Sequence, residues 1–508
     1  MSGQPLARAF RQISGLTGLS RILGFGRDVV FAAFLGAGLA ADAFVVALKL
    51  PNMFRRLTAE GAMANAFVPA YASMREADGD RAATSLAGEV QTTLFVALCG
   101  LVVLGEIFMP EIISVLAPGF ADTPDRMDAA IALARVTFPY LPLISLAAFW
   151  AALANAHGRF MVAAALPLIF NICMIGGALV IPMASGWLAA ERAMPIAAAL
   201  LIAGVLQLGA MGLLLRRRKL MPRWRLPRFG GASRAMWRTF GVASAGGVVM
   251  QVNLVIDLVL ASLLPVGAVS WLYFADRVAQ LPLGIFGIAL GTVLLPRLSA
   301  QFSAADHDGA RASLAQAILF AAFLVIPATA AMIAIAPEIT TGLFARGAFT
   351  ADAAAASAAA LAAYAAGMPA HIMVKILQPA FYASGRPGFV LKVSIAAVVV
   401  NVALSLSLMP VLGHVGLATA TSVSGFVAAA AVSARLARDG QLELPAAASL
   451  LRICLATVVM LVALYLGLSL SPSLHAAVLL ALLVAAGGGA YLAAAVAFRA
   501  IPVQLVKA

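Results

Sequence analysis

Apolar runs long enough to cross a bilayer recur along this chain from one end to the other. The hydrocarbon layer is about 30 Å thick and an α-helix rises about 1.5 Å per residue, so a span needs about 20 mostly apolar residues. Inside lipid the backbone must bond within the segment, which makes such unbroken runs helices. Fourteen candidates lie at about 14–36, 40–74, 86–111, 129–156, 160–183, 193–216, 236–263, 269–303, 312–336, 351–384, 387–410, 414–437, 448–470 and 473–499. Several exceed the minimum, so tilts, kinks or interfacial extensions are expected. The composition agrees: 63% of the 508 residues are hydrophobic and 11% are charged, against about 25% charged in an average soluble chain. The fold class expected is an all-α polytopic membrane protein. Residues 1–13 hold Arg8 and Arg11 but no cleavable apolar core, so no secretory signal is read there.

The net charge of +13 does not point to nucleic acid, because of where the charge lies. The densest basic run, from Arg216-Arg217-Arg218-Lys219 on through Arg223, Arg225, Arg228, Arg234 and Arg238, falls between the sixth and seventh runs. It reads as a cytoplasmic loop under the positive-inside rule. Arg8 and Arg11 mark the same side, six spans earlier, and fourteen spans then put both termini in the cytoplasm. The opposite loops are poor in basic residues, and the stretch from Asp122 to Asp128 is net acidic.

The chain also repeats itself at an offset of roughly 227–230 residues. Phe34-Leu-Gly-Ala-Gly38 answers to Leu263-Leu-Pro-Val-Gly267, Phe67-Val-Pro-Ala-Tyr71 to Leu294-Leu-Pro-Arg-Leu298, His157-Gly158-Arg159 to Ser384-Gly385-Arg386, and Asn171 to Asn401. Both copies start on the cytoplasmic side, so the repeat is parallel, with its pseudo-twofold axis along the membrane normal. The domains expected are an N-lobe of six helices over 1–220, a C-lobe of six over 221–440, and two extra C-terminal helices over 441–508.

The first two runs carry Arg21, Arg27, Asp28, Asp42, Lys49, Arg55, Arg56 and Glu60. A charge at the centre of a membrane helix costs about 2.5–3.5 kcal/mol on insertion scales. So many persist only if they face water, one another or an anionic ligand. Single residues such as Arg55 or Arg56 could instead snorkel to the headgroups, but no one helix end can hold them all. On an ideal helix Lys49, Arg56 and Glu60 fall within about 40° of each other. Arg21 and Asp28 share a face of the first run, while Arg27 points elsewhere, as toward a neighbouring helix. Pro51 removes a backbone donor and is expected to kink the second run. In the other copy, Asp276, Arg277 and Gln280 lie inside the eighth run, with Arg277 opposite Lys49 in the repeat. The planar fork of arginine bonds two oxygens at once and suits a pyrophosphate. Arginines converging from two lobes fit a large phosphate-bearing anion better than a metal ion or a cationic drug.

Asp257, Asn401 and Thr421 sit in the seventh, eleventh and twelfth runs. They could bring hard oxygen ligands to a small cation or form a hydrogen-bonded packing cluster. Cys99, Cys173 and Cys454 are scattered through apolar segments and give neither a disulfide framework nor a metal site. There is no Gly-x-x-x-x-Gly-Lys-Ser/Thr loop for nucleotide hydrolysis, no zinc-ligand cluster and no serine-nucleophile elbow. The chain reads as a transporter and not an enzyme.

Ser20-Arg-Ile-Leu-Gly-Phe-Gly-Arg-Asp28, Ala41-Asp-Ala-Phe44, Lys49-Leu-Pro-Asn-Met-Phe-Arg-Arg56, Ala59-Glu-Gly-Ala62, Phe67-Val-Pro69 and Ala117-Pro-Gly-Phe-Ala121 resemble the MurJ (MviN) family of bacterial lipid II flippases. Phe274-Ala-Asp-Arg277 and Gly287-Ile-Ala-Leu-Gly-Thr-Val-Leu-Leu-Pro296 extend the likeness into the second copy. The resemblance implies the fold of the multidrug/oligosaccharidyl-lipid/polysaccharide exporter superfamily, with the two extra helices helping to form a groove for the lipid tail. It implies that Arg21, Arg27, Arg55 and Arg277 are cavity arginines with Asp28 beside them. It makes Asp42 and Ser270 polar residues on the periplasmic side, Asp42 with a gating role, and Glu60 a gate residue. It also implies a sodium site from Asp257, Asn401 and Thr421, with Na+ as a coupling ion. The chain departs from the pattern at Gln280, where the family often has Glu, and at Ser405, where a second Asp is expected.

The function expected is transfer of lipid II, the undecaprenyl-pyrophosphate-linked muropeptide, from the cytoplasmic to the periplasmic leaflet by alternating access, in the bacterial inner membrane. Lipid II and membrane lipids are the expected partners, and a monomer is the expected working unit. Export of another lipid-linked oligosaccharide or of drugs is the alternative. A membrane enzyme acting on polyprenyl-linked sugars, or a passive scaffold, would come from other classes. The sequence leaves the energy source open among membrane potential, Na+ and H+.

Overall fold

A computed structural model describes residues 4–58, 62–183, 191–226, 231–470 and 474–502. The chain divides into two compact units, residues 1–270 and 271–508. Ten helices among the described residues are long and apolar enough to cross a membrane. The first, second, seventh and eighth apolar runs are helical as well.

The first unit comprises α1 (Gln4–Leu35), α2 (Leu39–Thr58), α3 (Ala62–Ile107), α4 (Met109–Leu116), α5 (Pro124–Thr137), α6 (Tyr140–Ala156), α7 (Phe160–Val180), α8 (Met194–Arg217) and α9 (Gly231–Ser262). It ends in the first turn of α10 (Ala268–Ser303). Helix α1 packs on α7, α2 on α5, and α9 on α3, so the seventh run groups with the six before it. Helix α2 is described through Thr58, and Phe67 to Tyr71, which hydropathy places in the second run, belong to α3. Helix α3 then continues through the hydrophilic stretch expected as a loop and bends at Gly79 (φ 83°). There Arg75 pairs with Asp80 at 2.6 Å. The fourth run breaks between α5 and α6 at Phe138-Pro139, where proline offers no amide to continue the ladder.

Residues 221–226, between α8 and α9, have no helical structure and lie as a strap along α3. Gln91 donates to the Pro222 carbonyl at 3.1 Å and accepts from the Trp150 indole at 3.0 Å. The Arg225 amide donates to Thr92 Oγ1 at 3.2 Å, and Arg225 Nη1 donates to Ser85 Oγ at 2.7 Å. The approach requires glycine at position 88, where a Cβ would stand 2.2 Å from the Arg223 carbonyl oxygen.

The second unit holds the rest of α10 with α11 (His307–Ala334), α12 (Ala336–Phe344), α13 (Ala351–Ala383), α14 (Pro387–Leu412), α15 (His414–Arg438), α16 (Ala447–Leu470) and α17 (Ala476–Ala497). Leu298, Leu314, Ile376, Phe381, Val432 and Leu436 anchor a core that draws on α10, α11, α13 and α15. Helix α16 packs on α11 and α17 on α12. The Tyr491 hydroxyl of α17 donates to the Phe323 carbonyl of α11. Apolar side chains such as Val399, Val423 and Val458 stay exposed on the surface, as expected where lipid is the solvent.

At the end of α15, Arg386 pairs with Asp439, donates to Gln441 Oε1 at 2.8 Å and lies over the Phe381 ring. The hydrogen bond from Arg386 holds the Asp439 carboxyl below its ordinary value of 3.8. A carboxyl depressed by folding adds stability that is complete above its unfolded pKa and is lost as pH falls through the folded one. The melting temperature of the native protein should therefore drop more steeply below about pH 4 than that of Asp439→Asn. Parallel acid melting curves would remove this latch from the account.

Candidate functional site

The first cluster is built on α1. Arg27 Nη2 and Nε donate to Asp28 Oδ1 at 2.7 and 3.1 Å, and Nη1 donates across to Asn171 Oδ1 of α7 at 3.1 Å. The guanidinium carbon lies 5.6 Å from the Phe31 ring centre and 5.5 Å from that of Phe170. The Asn171 amide nitrogen in turn donates to the Ser20 carbonyl at 3.1 Å. Asp28 is buried and Arg27 half-buried, whereas Arg21 is exposed. Arg27 thus does reach a neighbouring helix. The face shared by Arg21 and Asp28 is not what places Asp28, because a long arginine can fold back onto the carboxylate next to it.

The second cluster is centred on Asp42, which is fully buried in the first turn of α2. Arg126 Nη2 bonds Oδ2 at 2.6 Å. The Gly267 amide donates to Oδ2 at 2.7 Å, the Ser270 amide to Oδ1 at 2.8 Å, and the Ser270 hydroxyl to Oδ1 as well. The amides opening a helix lack intrahelical acceptors and carry the positive end of its dipole. Asp42 therefore caps α10, and Arg126 supplies the full counter-charge. Arg126 also donates to the Leu264 carbonyl at 3.4 Å and lies 3.8 Å above the Phe120 ring.

The remaining candidates are placed more simply. Arg55 Nε points at Asn52 Oδ1, one turn back on α2, at 3.4 Å. Arg277 lies over the Tyr273 ring at 4.8 Å, and Gln280 donates to Asp276 on the same face of α10. Asp257 Oδ2 accepts from Asn253, one turn back on α9, at 3.2 Å. In the second unit the Asn401 amide donates to Thr421 Oγ1 at 3.1 Å, which ties α14 to α15. Ser405, one turn on from Asn401, is fully buried. Glu60 lies outside the described residues. Two participants carried no sequence argument of their own. Arg126 stood in a loop read as acidic, where a lone arginine on a base-poor side was the available signal. Asn171 was noted only as the repeat counterpart of Asn401.

The family model described as "Lipid II flippase MurJ" matches residues 31–486. The chain belongs to the MurJ family. Within that family it is 38% identical over 439 residues to the probable lipid II flippase MurJ of Rhizobium tropici, covering 86% of this chain and 82% of the relative. To the lipid II flippase MurJ of Burkholderia cenocepacia it is 32% identical over 430 residues, covering 82% and 81%. A solved structure of the lipid II flippase MurJ in an inward closed conformation superposes with a TM-score of 0.81 at 24% identity, over 96% of this chain and 98% of that one. An inward-facing multidrug resistance transporter of the MATE family in the MOP superfamily follows at a TM-score of 0.68 and 15% identity, over 82% and 95%. These two structures bear on the fold alone. They agree with the all-helical exporter architecture that the MurJ motifs implied.

Proposed function

We propose that this chain flips lipid II from the cytoplasmic to the periplasmic leaflet of the bacterial inner membrane by alternating access, as a transporter that leaves its substrate chemically unchanged. The observation that carries the reading is Arg27, a guanidinium held half-buried inside a membrane helix by one carboxylate, one amide and two rings. Paired with Asp28 it is close to neutral and can be kept in an apolar protein. An arriving pyrophosphate offers the same oxygen geometry as the carboxylate with more charge, so it can take over the fork. Arg21, Arg55, Arg277 and Ser270 would complete an anion cavity, with the helices of 441–508 accepting the polyprenyl tail. Asp42 and Glu60 would act as gates, with both termini in the cytoplasm. Neutralising the arginines would let them approach as the cavity closes.

A coupling sodium ion would draw on Asp257, Asn401 and Thr421. Serine at 405 leaves Asp257 as the one carboxylate in that set, and it already accepts from Asn253. One carboxylate among neutral oxygen donors fits a tightly held cation poorly.

The test is depletion of the protein in its own cell with lipid II labelled on each membrane face. Intact lipid II should accumulate on the cytoplasmic face while periplasmic labelling falls. Unchanged sidedness would overturn the proposal.

A further inference from the structure

We infer that Asn171 is a positioning residue for the substrate's diphosphate, acting through the plane of the Arg27 guanidinium. The inference rests on the proposed role of Arg27 and adds a residue to it. A guanidinium presents its donors in one plane, and the orientation of that plane decides which oxygens it can bond in pairs. Asp28 Oδ1 takes Nε and Nη2, one edge of the fork. That contact alone leaves the group free to pivot about a single oxygen. Asn171 Oδ1 takes Nη1 on another edge, and Phe31 and Phe170 stand at 5.6 and 5.5 Å, so the plane is fixed.

Asn171 is itself held. It is 4% exposed, and its amide nitrogen donates to the Ser20 carbonyl. Its orientation follows from chemistry: an arginine only donates and a carbonyl only accepts, so the amide oxygen must face Arg27 and the nitrogen Ser20. The choice of an amide is informative as well. A second carboxylate here would cancel the charge an anion needs, whereas a neutral acceptor sets the plane and leaves that charge in place. When a diphosphate displaces Asp28, the Asn171 bond keeps the fork aimed.

The same contacts also tie α7 to α1, and a tether alone would hold the two helices together without any effect on anion recognition. The two roles separate in a double-mutant cycle on the full-length protein, with undecaprenyl pyrophosphate as the probe and its Kd read by native mass spectrometry. Asn171→Leu, close in volume, should weaken binding about tenfold, the size of one hydrogen bond to a charged group. In an Arg27→Lys background the loss should shrink to less than about threefold, because an ammonium has no plane to set. Asn171→Asp should also weaken binding, through charge. An unchanged Kd for Asn171→Leu, or an equal loss in both backgrounds, would overturn the inference and leave a tether. Should Asn171→Leu fail to fold, the smaller Asn171→Ser takes its place with the same expectations. If Arg27→Ala binds the probe as the native protein does, the proposed role of Arg27 fails, and that result is distinct from a failure at Asn171.

Discussion

Arg126→Leu is expected to lower the stability of the first unit by about 3–5 kcal/mol, the cost of removing one partner from a buried ion pair. Asp42 has no water to turn to, since both residues of the pair are 2% exposed or less. The amides of Gly267 and Ser270 and the Ser270 hydroxyl would remain on the carboxylate. They supply partial charge where a full one is missing. The double substitution Asp42→Asn with Arg126→Leu should recover much of the loss, because the burden lies in the orphaned charge more than in the missing contact. Unfolding in mixed micelles followed by tryptophan fluorescence would measure both. A single variant within about 1 kcal/mol of the native protein would show that water reaches Asp42 and that the pair is an ordinary one.

Arg27→Ala should abolish rescue of a depleted strain; it also orphans the buried Asp28, so the double substitution Arg27→Ala with Asp28→Asn should recover most of the lost melting temperature without recovering rescue. Truncating one partner of a desolvated, hydrogen-bonded charge pair costs about 2–5 kcal/mol, or roughly 30-fold to several thousandfold in affinity. Arg27→Lys should fall between Arg27→Ala and the native protein, since it keeps the charge and loses the fork. Full rescue by Arg27→Ala, with lipid II still reaching the periplasmic face, would remove Arg27 from the transport pathway.

Much of this was legible from residue order alone. Uninterrupted apolar runs dictated helices, and charges that lipid does not tolerate pointed to the helices that carry the Arg27 and Asp42 clusters. The motif around Ala41-Asp42 and Ser270 identified two residues that the fold brings into hydrogen-bond contact across 228 positions of chain. Less legible were features set by packing. The pairing of Arg27 with its neighbour Asp28 defies the helical-face rule, because side-chain length and rotamer decided it. Arg126 was hidden by its loop: counted with Asp122, Asp125 and Asp128 it looked like one cation in an acidic stretch, and its partner lies 84 residues away. The continuation of α3 past Gly79 shows why hydropathy locates a span better than it locates its ends.

The Asp42 cap also sets an order on biogenesis. Asp42 leaves the ribosome 84 residues before Arg126 and 228 before Ser270. At roughly 5–20 residues per second that is on the order of 10–45 s with the carboxylate awaiting its last donors. Until the first turn of α10 has been synthesised, the start of α2 has reason to remain near the aqueous surface. The first unit therefore matures only when its own last residues have been made, and a nascent chain halted before Gly267 would present quality-control proteases with an uncapped acid.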